Sequence, residues 1–121
     1  MAEYSCSNMF ANCPSLTSIT IENIQLNNYC FYRVFYNCNN LSSVILKPTK
    51  LVLGCYNYMF EKCTSLASVD CYAAKDINTN NTNNWLLNVK ASGTFTYHCE
   101  DNLWSDGTSG IPSGWTKIKA E

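Results

Sequence analysis

The sequence predicts an α/β solenoid: about three 25-residue repeats, each a short helical turn followed by a strand, stacked into a parallel β ladder and closed by a β-rich C-terminal cap. Three observations carry this reading. Phe10, Phe35 and Phe60 recur every 25 residues, as do Cys13, Cys38 and Cys63, then Leu16, Leu41 and Leu66. Within each repeat a spacing of 4, 4 and 3 precedes a spacing of 2. After Asp76 the period fails and the composition turns to Asn, Gly and Trp.

The first part of each repeat predicts a helix. Cys30, Val34, Cys38 and Leu41, and one repeat later Cys55, Met59, Cys63 and Leu66, share one helical face and point inward. The second part predicts a strand. In L-T-S-I-T-I (16 to 21), L-S-S-V-I-L (41 to 46) and L-A-S-V-D-C (66 to 71), the first, fourth and sixth residues are apolar, and the last three alternate. In the C-terminal part G-T-F-T-Y at 93 to 97 and W-T-K-I-K at 115 to 119 read as two further strands. These elements divide the chain into a solenoid over 1–77, an Asn-rich insertion loop over 78–90 and a cap over 91–121. An open solenoid end exposes apolar surface and needs such a cap. Trp85, Trp104 and Trp115 read as its packing residues, with an aromatic platform for a sugar ring as the other reading.

Composition excludes several classes of function. Eight Lys and Arg against nine Asp and Glu leave no basic stripe for a nucleic-acid backbone. No apolar run is long enough to span a bilayer, and the first residues lack the charged and apolar regions of a signal peptide. Charged residues are few, and Asn, Ser, Thr and Tyr are many, as on exported binding surfaces.

Eight cysteines raise the question of metal, disulfide or nucleophile. Residues eight apart on a helix lie roughly 12 Å apart along its axis, whereas two ligands of one zinc lie within about 4 Å. Cys30 and Cys38 therefore do not share an ion, and no metal or other cofactor is expected. Across repeats the cysteines form columns, Cys30 with Cys55, and Cys13 with Cys38 and Cys63, about 4.8 Å apart. That separation suits a disulfide, yet stacked side chains run parallel and a column of three cannot pair completely. Packing as small apolar thiols is the reading for the columns, while a bridge among Cys6, Cys71 and Cys99 stays open. No catalytic residue is assigned. The one candidate thiol site, His98 beside Cys99, places adjacent strand residues on opposite faces.

Surface is what remains. The outward strand positions give a small polar column, Ser18, Ser43 and Ser68, beside a variable column, Thr20, Ile45 and Asp70. These six are the candidate binding face. Tyr29, Tyr32, Tyr36, Tyr56 and Tyr58 form a second candidate patch on the other side. Asn40 in N-L-S and Asn80 in N-N-T match glycosylation acceptors.

The repeat C-[FY]-x-x-[VM]-F-x-x-C-x-[SN]-L-[TSA]-S-[IV] resembles the BspA-like leucine-rich repeat over residues 4 to about 77. A-S-G-T-F and G-I-P-S-G-W-T resemble the closing segment of that family. The resemblance implies a short leucine-rich-repeat-like solenoid in a surface protein of anaerobic gut bacteria. It implies a non-enzymatic module, extracellular or at the cell surface, that binds a protein or glycan ligand. A purely structural spacer is the alternative, and a thiol enzyme at His98 and Cys99 a more distant one. One departure stands out: the Asn that follows the strand in ordinary leucine-rich repeats is replaced by Ile24, Thr49 and Ala74. With Tyr4 leading directly into the first repeat, the edge near Leu16 to Ile21 is expected to be open and to support weak self-association.

Overall fold

The computed structural model describes residues 6–74, 80–99 and 104–120. Five strands form one parallel sheet in chain order: β1 (Ser18–Ile21), β2 (Ser43–Leu46), β3 (Ser68–Cys71), β4 (Gly93–Tyr97) and β5 (Trp115–Lys119). β1 to β3 pair at a constant 25 residues, Ser18 with Ser43 and Ser43 with Ser68. The sheet is parallel because each strand is followed by a return path that brings the chain back across the layer to start the next strand in the same direction.

The return path is not a helix, and no helix occurs among the described residues. The expected α/β class gives way to a β-solenoid of about four turns. In residues 27–38 every second N–H closes a tight turn three residues back, as in Cys30 to Asn27, Tyr32 to Tyr29 and Val34 to Phe31. The intervening N–H groups cross to the next layer, Tyr29 to Leu53, Phe31 to Cys55, Arg33 to Asn57, Phe35 to Met59 and Asn37 to Glu61. The carbonyls of Cys30, Tyr32, Val34 and Tyr36 receive the same kind of bond from the layer before. Buried backbone groups need partners, and this alternation supplies one within the layer or between layers at each step.

Two such turns make a four-residue unit, with a left-handed residue in every unit: Asn8 and Asn12, then Tyr29, Arg33 and Asn37, then Gly54, Tyr58 and Lys62, then Asn84 and Asn88, with φ between 49° and 67°. A right-handed helix cannot contain them. Asn and Gly take this conformation readily, and Asn8, Asn12, Asn37, Asn84, Asn88 and Gly54 fill six of these positions. The inward spacing of Cys30, Val34 and Cys38 is therefore the step of the turns.

The core lies between the turn wall and the sheet. Cys30, Val34, Phe35, Cys38 and Leu41 are buried, as are Cys55, Met59, Phe60, Cys63 and Leu66, against Val44, Leu46, Val69 and Phe95 from the strands. Phe10, Phe35 and Phe60 stack with ring centres 5.8 Å apart at each step. The first repeat departs from the expected core: Phe10 is 43% exposed and Cys13 and Leu16 are only half-buried. Among the described residues nothing covers this repeat from below, so its apolar face is shared with one neighbour instead of two.

The expected insertion loop is also corrected. From residue 80 the chain builds a fourth turn wall, accepting bonds from Gly54 at Asn80, Tyr56 at Asn81, Tyr58 at Asn83, Phe60 at Trp85 and Lys62 at Leu87. The spacing here is 26 residues: Ser68 pairs with Thr94, and the left-handed residues Tyr58 and Lys62 correspond to Asn84 and Asn88. One added residue shifts Trp85 into the place of Met59. The expected boundary at residue 77 lies outside the described residues, and β4, expected in the cap, is the strand of this fourth layer.

The closing segment then supplies a partial fifth layer. Trp85, Trp104 and Trp115 are all buried, which excludes the sugar-platform reading. Each indole N–H donates to a backbone carbonyl: Trp85 to Gly110 at 2.8 Å, Trp115 to Lys90 at 2.8 Å and Trp104 to Ala73 at 3.4 Å. On β5 the inward-register positions after Trp115 are Lys117 and Lys119, both exposed, and Lys117 pairs with Asp106 at 3.2 Å. Charges in inward positions blunt an edge strand against further pairing.

Candidate functional site

Alternation along the strands fixes which side chains face out. In β2, Val44 and Leu46 are buried and Ile45 is exposed; in β3, Val69 and Cys71 are buried and Ser68 is exposed. The six candidate residues share that outer face. Ser18, Thr20 and Ser68 are exposed, Ser43 and Asp70 half-buried, and Ile45 is 37% exposed. Strand register aligns them in two columns, Ser18–Ser43–Ser68 and Thr20–Ile45–Asp70. β4 and β5 extend these columns with Thr94 and Thr116 in the first, and with Thr96 and Ile118 in the second. Ile118 is 46% exposed.

A third column lies two residues further on and was not anticipated. Lys47 pairs with Glu22 at 3.4 Å, a surface ion pair of small energetic weight. Beyond it the His98 ring stacks on Tyr72 with centres 3.7 Å apart, and His98 Nε2 meets Asp70 Oδ1 at 2.5 Å. Strand alternation continued past Asp70 would have found Tyr72, and a spacing of 26 from Tyr72 leads to His98. His98 thus commits Nε2 to a carboxylate and a ring face to Tyr72.

The tyrosine patch on the turn wall is only partly as expected. Tyr29, Tyr32, Tyr36 and Tyr58 are half-buried, but Tyr56 is fully buried and stacks on Trp85 with centres 5.9 Å apart. Arg33 lies 4.2 Å and Lys62 5.5 Å from the Tyr36 ring centre, in cation–π contact.

No disulfide joins the cysteines of the described residues. The thiols do more than fill space: Cys38 Sγ donates to Phe10 O and Cys63 Sγ to Phe35 O, each at 3.1 Å. Burial raises the thiols of Cys30 and Cys38 and pushes those of Cys55, Cys63 and Cys71 up to about 12. Such thiols stay protonated and unreactive near neutrality. Among the described residues no group of three or more His, Cys, Asp or Glu is arranged to hold a metal ion.

A comparison with protein families matches residues 3–97 to the BspA type leucine rich repeat region (6 copies). The chain belongs to this family. The BspA-type match ends at Tyr97, the last residue of β4, and so takes in all four turn walls. The family's repeat thus includes the 26-residue fourth layer, while the closing segment follows it. No curated protein and no solved structure matches the chain. In this BspA-type solenoid the positions after the strands, Ile24, Thr49 and Ala74, are exposed, so no buried Asn ladder shapes the loops. No helix of the described residues is long and apolar enough to cross a membrane.

Proposed function

We propose that the outer strand face is a ligand-binding surface of a surface-exposed or secreted protein, and that it takes a protein or a glycan. The observation that carries this reading is the pairing of two columns on one parallel sheet. Ser18, Ser43, Ser68, Thr94 and Thr116 repeat a small hydroxyl in every layer, whereas Thr20, Ile45, Asp70, Thr96 and Ile118 change from layer to layer. A constant floor beside a varied column allows specificity to be set without altering the fold. Ile45 and Ile118 offer apolar contact, and Tyr72 with His98 adds aromatic area of the kind that anchors interfaces.

The test is a screen of protein and glycan arrays with the chain and with Ile45→Glu and Asp70→Lys. Binding by the parent that both variants lose supports the reading. Binding that survives both substitutions contradicts it. The second reading, a spacer module, draws on the internal pairing of Glu22 with Lys47 and of Asp70 with His98, which leaves fewer polar groups for a ligand. No ligand on either array at about 0.1 mM protein would favour it.

A further inference from the structure

We propose that the cleft between the fourth turn wall and the closing segment binds the carboxylate-bearing ring of a small acidic sugar. This site is separate from the strand face and does not depend on it. The cleft has a volume of about 290 Å³ and is lined by Leu86, Val89 and Pro112, with Asn88, Lys90 and Thr108 as polar neighbours. Small-molecule sites begin near 300 Å³, so there is room for one ring and little more.

The cleft exists because the fifth layer is incomplete. Leu86 N–H still finds Thr108 O at 3.3 Å, but the closing segment then turns away toward β5. One position suffers from that departure. In the three layers below, the corresponding N–H bonds across to the next layer at short distances: Asn12 to Tyr36 at 2.8 Å, Asn37 to Glu61 at 2.8 Å and Lys62 to Leu87 at 2.9 Å. At Asn88 the same donor, in the same left-handed conformation, meets no backbone acceptor among the described residues, and Asn88 is one of the residues that line the cleft. Asn88, with this unpaired N–H, and Lys90 both line the cleft, and a backbone donor together with a lysine suits a carboxylate. The apolar lining from Leu86, Val89 and Pro112 suits the C–H face of a pyranose. The Thr108 hydroxyl, which donates to Asn84 Oδ1 at 3.0 Å, keeps lone pairs free to accept from a sugar hydroxyl.

The experiment is an amide NMR titration of the full chain with glucuronate, with glucose and a short glutamate peptide as comparisons. Glucuronate is expected to shift the amides of Asn88, Lys90 and Thr108 with half-saturation of about 1–10 mM. Glucose and the peptide should each bind at least about tenfold more weakly. Lys90 is exposed, so Lys90→Met leaves the fold intact and should weaken glucuronate about tenfold, while Lys47→Met on the strand face changes nothing. Absence of shifts at about 100 mM, equal binding of glucose, or an unchanged Lys90→Met variant would overturn the proposal. Equal binding of the peptide would assign the cleft to polypeptide carboxylates and overturn the sugar.

Discussion

The Cys63 thiol donates a hydrogen bond to the Phe35 carbonyl at 3.1 Å, 28 residues back and one layer down. The same carbonyl accepts the Cys38 N–H at 3.2 Å, so a single oxygen ties a turn within one layer to a thiol of the next. Cys63→Ala deletes this bond and leaves a void, at a cost of about 2–3 kcal/mol. Cys63→Ser keeps a donor in the same place and should cost less than Ala in urea denaturation. A Ser variant no better than Ala would reduce the column to a matter of volume.

The buried thiols also make stability depend on alkaline pH. Burial lifts Cys55, Cys63 and Cys71 from an ordinary 9.0 to about 12, so the folded chain holds protons that the unfolded chain releases. The stability they contribute is complete below about pH 9 and is lost as pH rises from there toward 12. Within that window each thiol removes about 1.4 kcal/mol per pH unit. Urea midpoints should fall steeply above pH 9, and Cys63→Ala should show a shallower fall.

Gly54 occupies one of the left-handed positions, with φ of 67°, and a Cβ there would strike the Tyr29 ring. Gly54→Ala therefore incurs both backbone strain and a clash, together about 2–3 kcal/mol. Adding Tyr29→Ala removes the clash alone. The double variant should recover part of the loss, and thermal melting of the two proteins measures the difference. No recovery would mean that the strain is all in the backbone.

Trp85 stacks on Tyr56 and on Trp104 and donates to Gly110, joining the fourth layer to the closing segment. Trp85→Phe removes the donor and part of the stack, and should cost about 2 kcal/mol with the Gly110 carbonyl left without its indole partner. The remaining tryptophans are buried, so folded emission should stay blue-shifted and move to the red on unfolding. Emission already at the solvent-exposed position in the folded protein would contradict the packing of the closing segment.

The exposed end of the first layer carries Met9, 56% exposed, beside Phe10. We expect weak self-association through this end and the β1 edge, visible by light scattering at about 1 mM and reduced by Met9→Lys with Phe10→Ser. A monomer under those conditions would count against it.

The strands and the columns were legible in the sequence because alternation such as Val44, Ile45, Leu46 has one physical meaning once the register is fixed. The turn wall was not, because Cys30, Val34 and Cys38 fit a helix loosely. Eight residues along a helix rotate about 80° past two full turns, and the recurrence of Asn at positions 8, 12, 37, 84 and 88 is the sharper sign of left-handed units. The fourth layer was hidden by one inserted residue, which set Trp85 opposite Met59 and broke the 25-residue register. Asp70 was visible as an outward residue, but its bond to His98 depended on that same shifted layer.

The central claim is that the turn walls are joined layer to layer by backbone hydrogen bonds instead of being wound as helices. A scalar coupling measured across hydrogen bonds decides it for Asn37, whose N–H lies 2.8 Å from the Glu61 carbonyl. Correlation of the Asn37 amide nitrogen with the Glu61 carbonyl carbon is the predicted result. Correlation with the carbonyl of Arg33, four residues back in the same layer, would show a helix and contradict it.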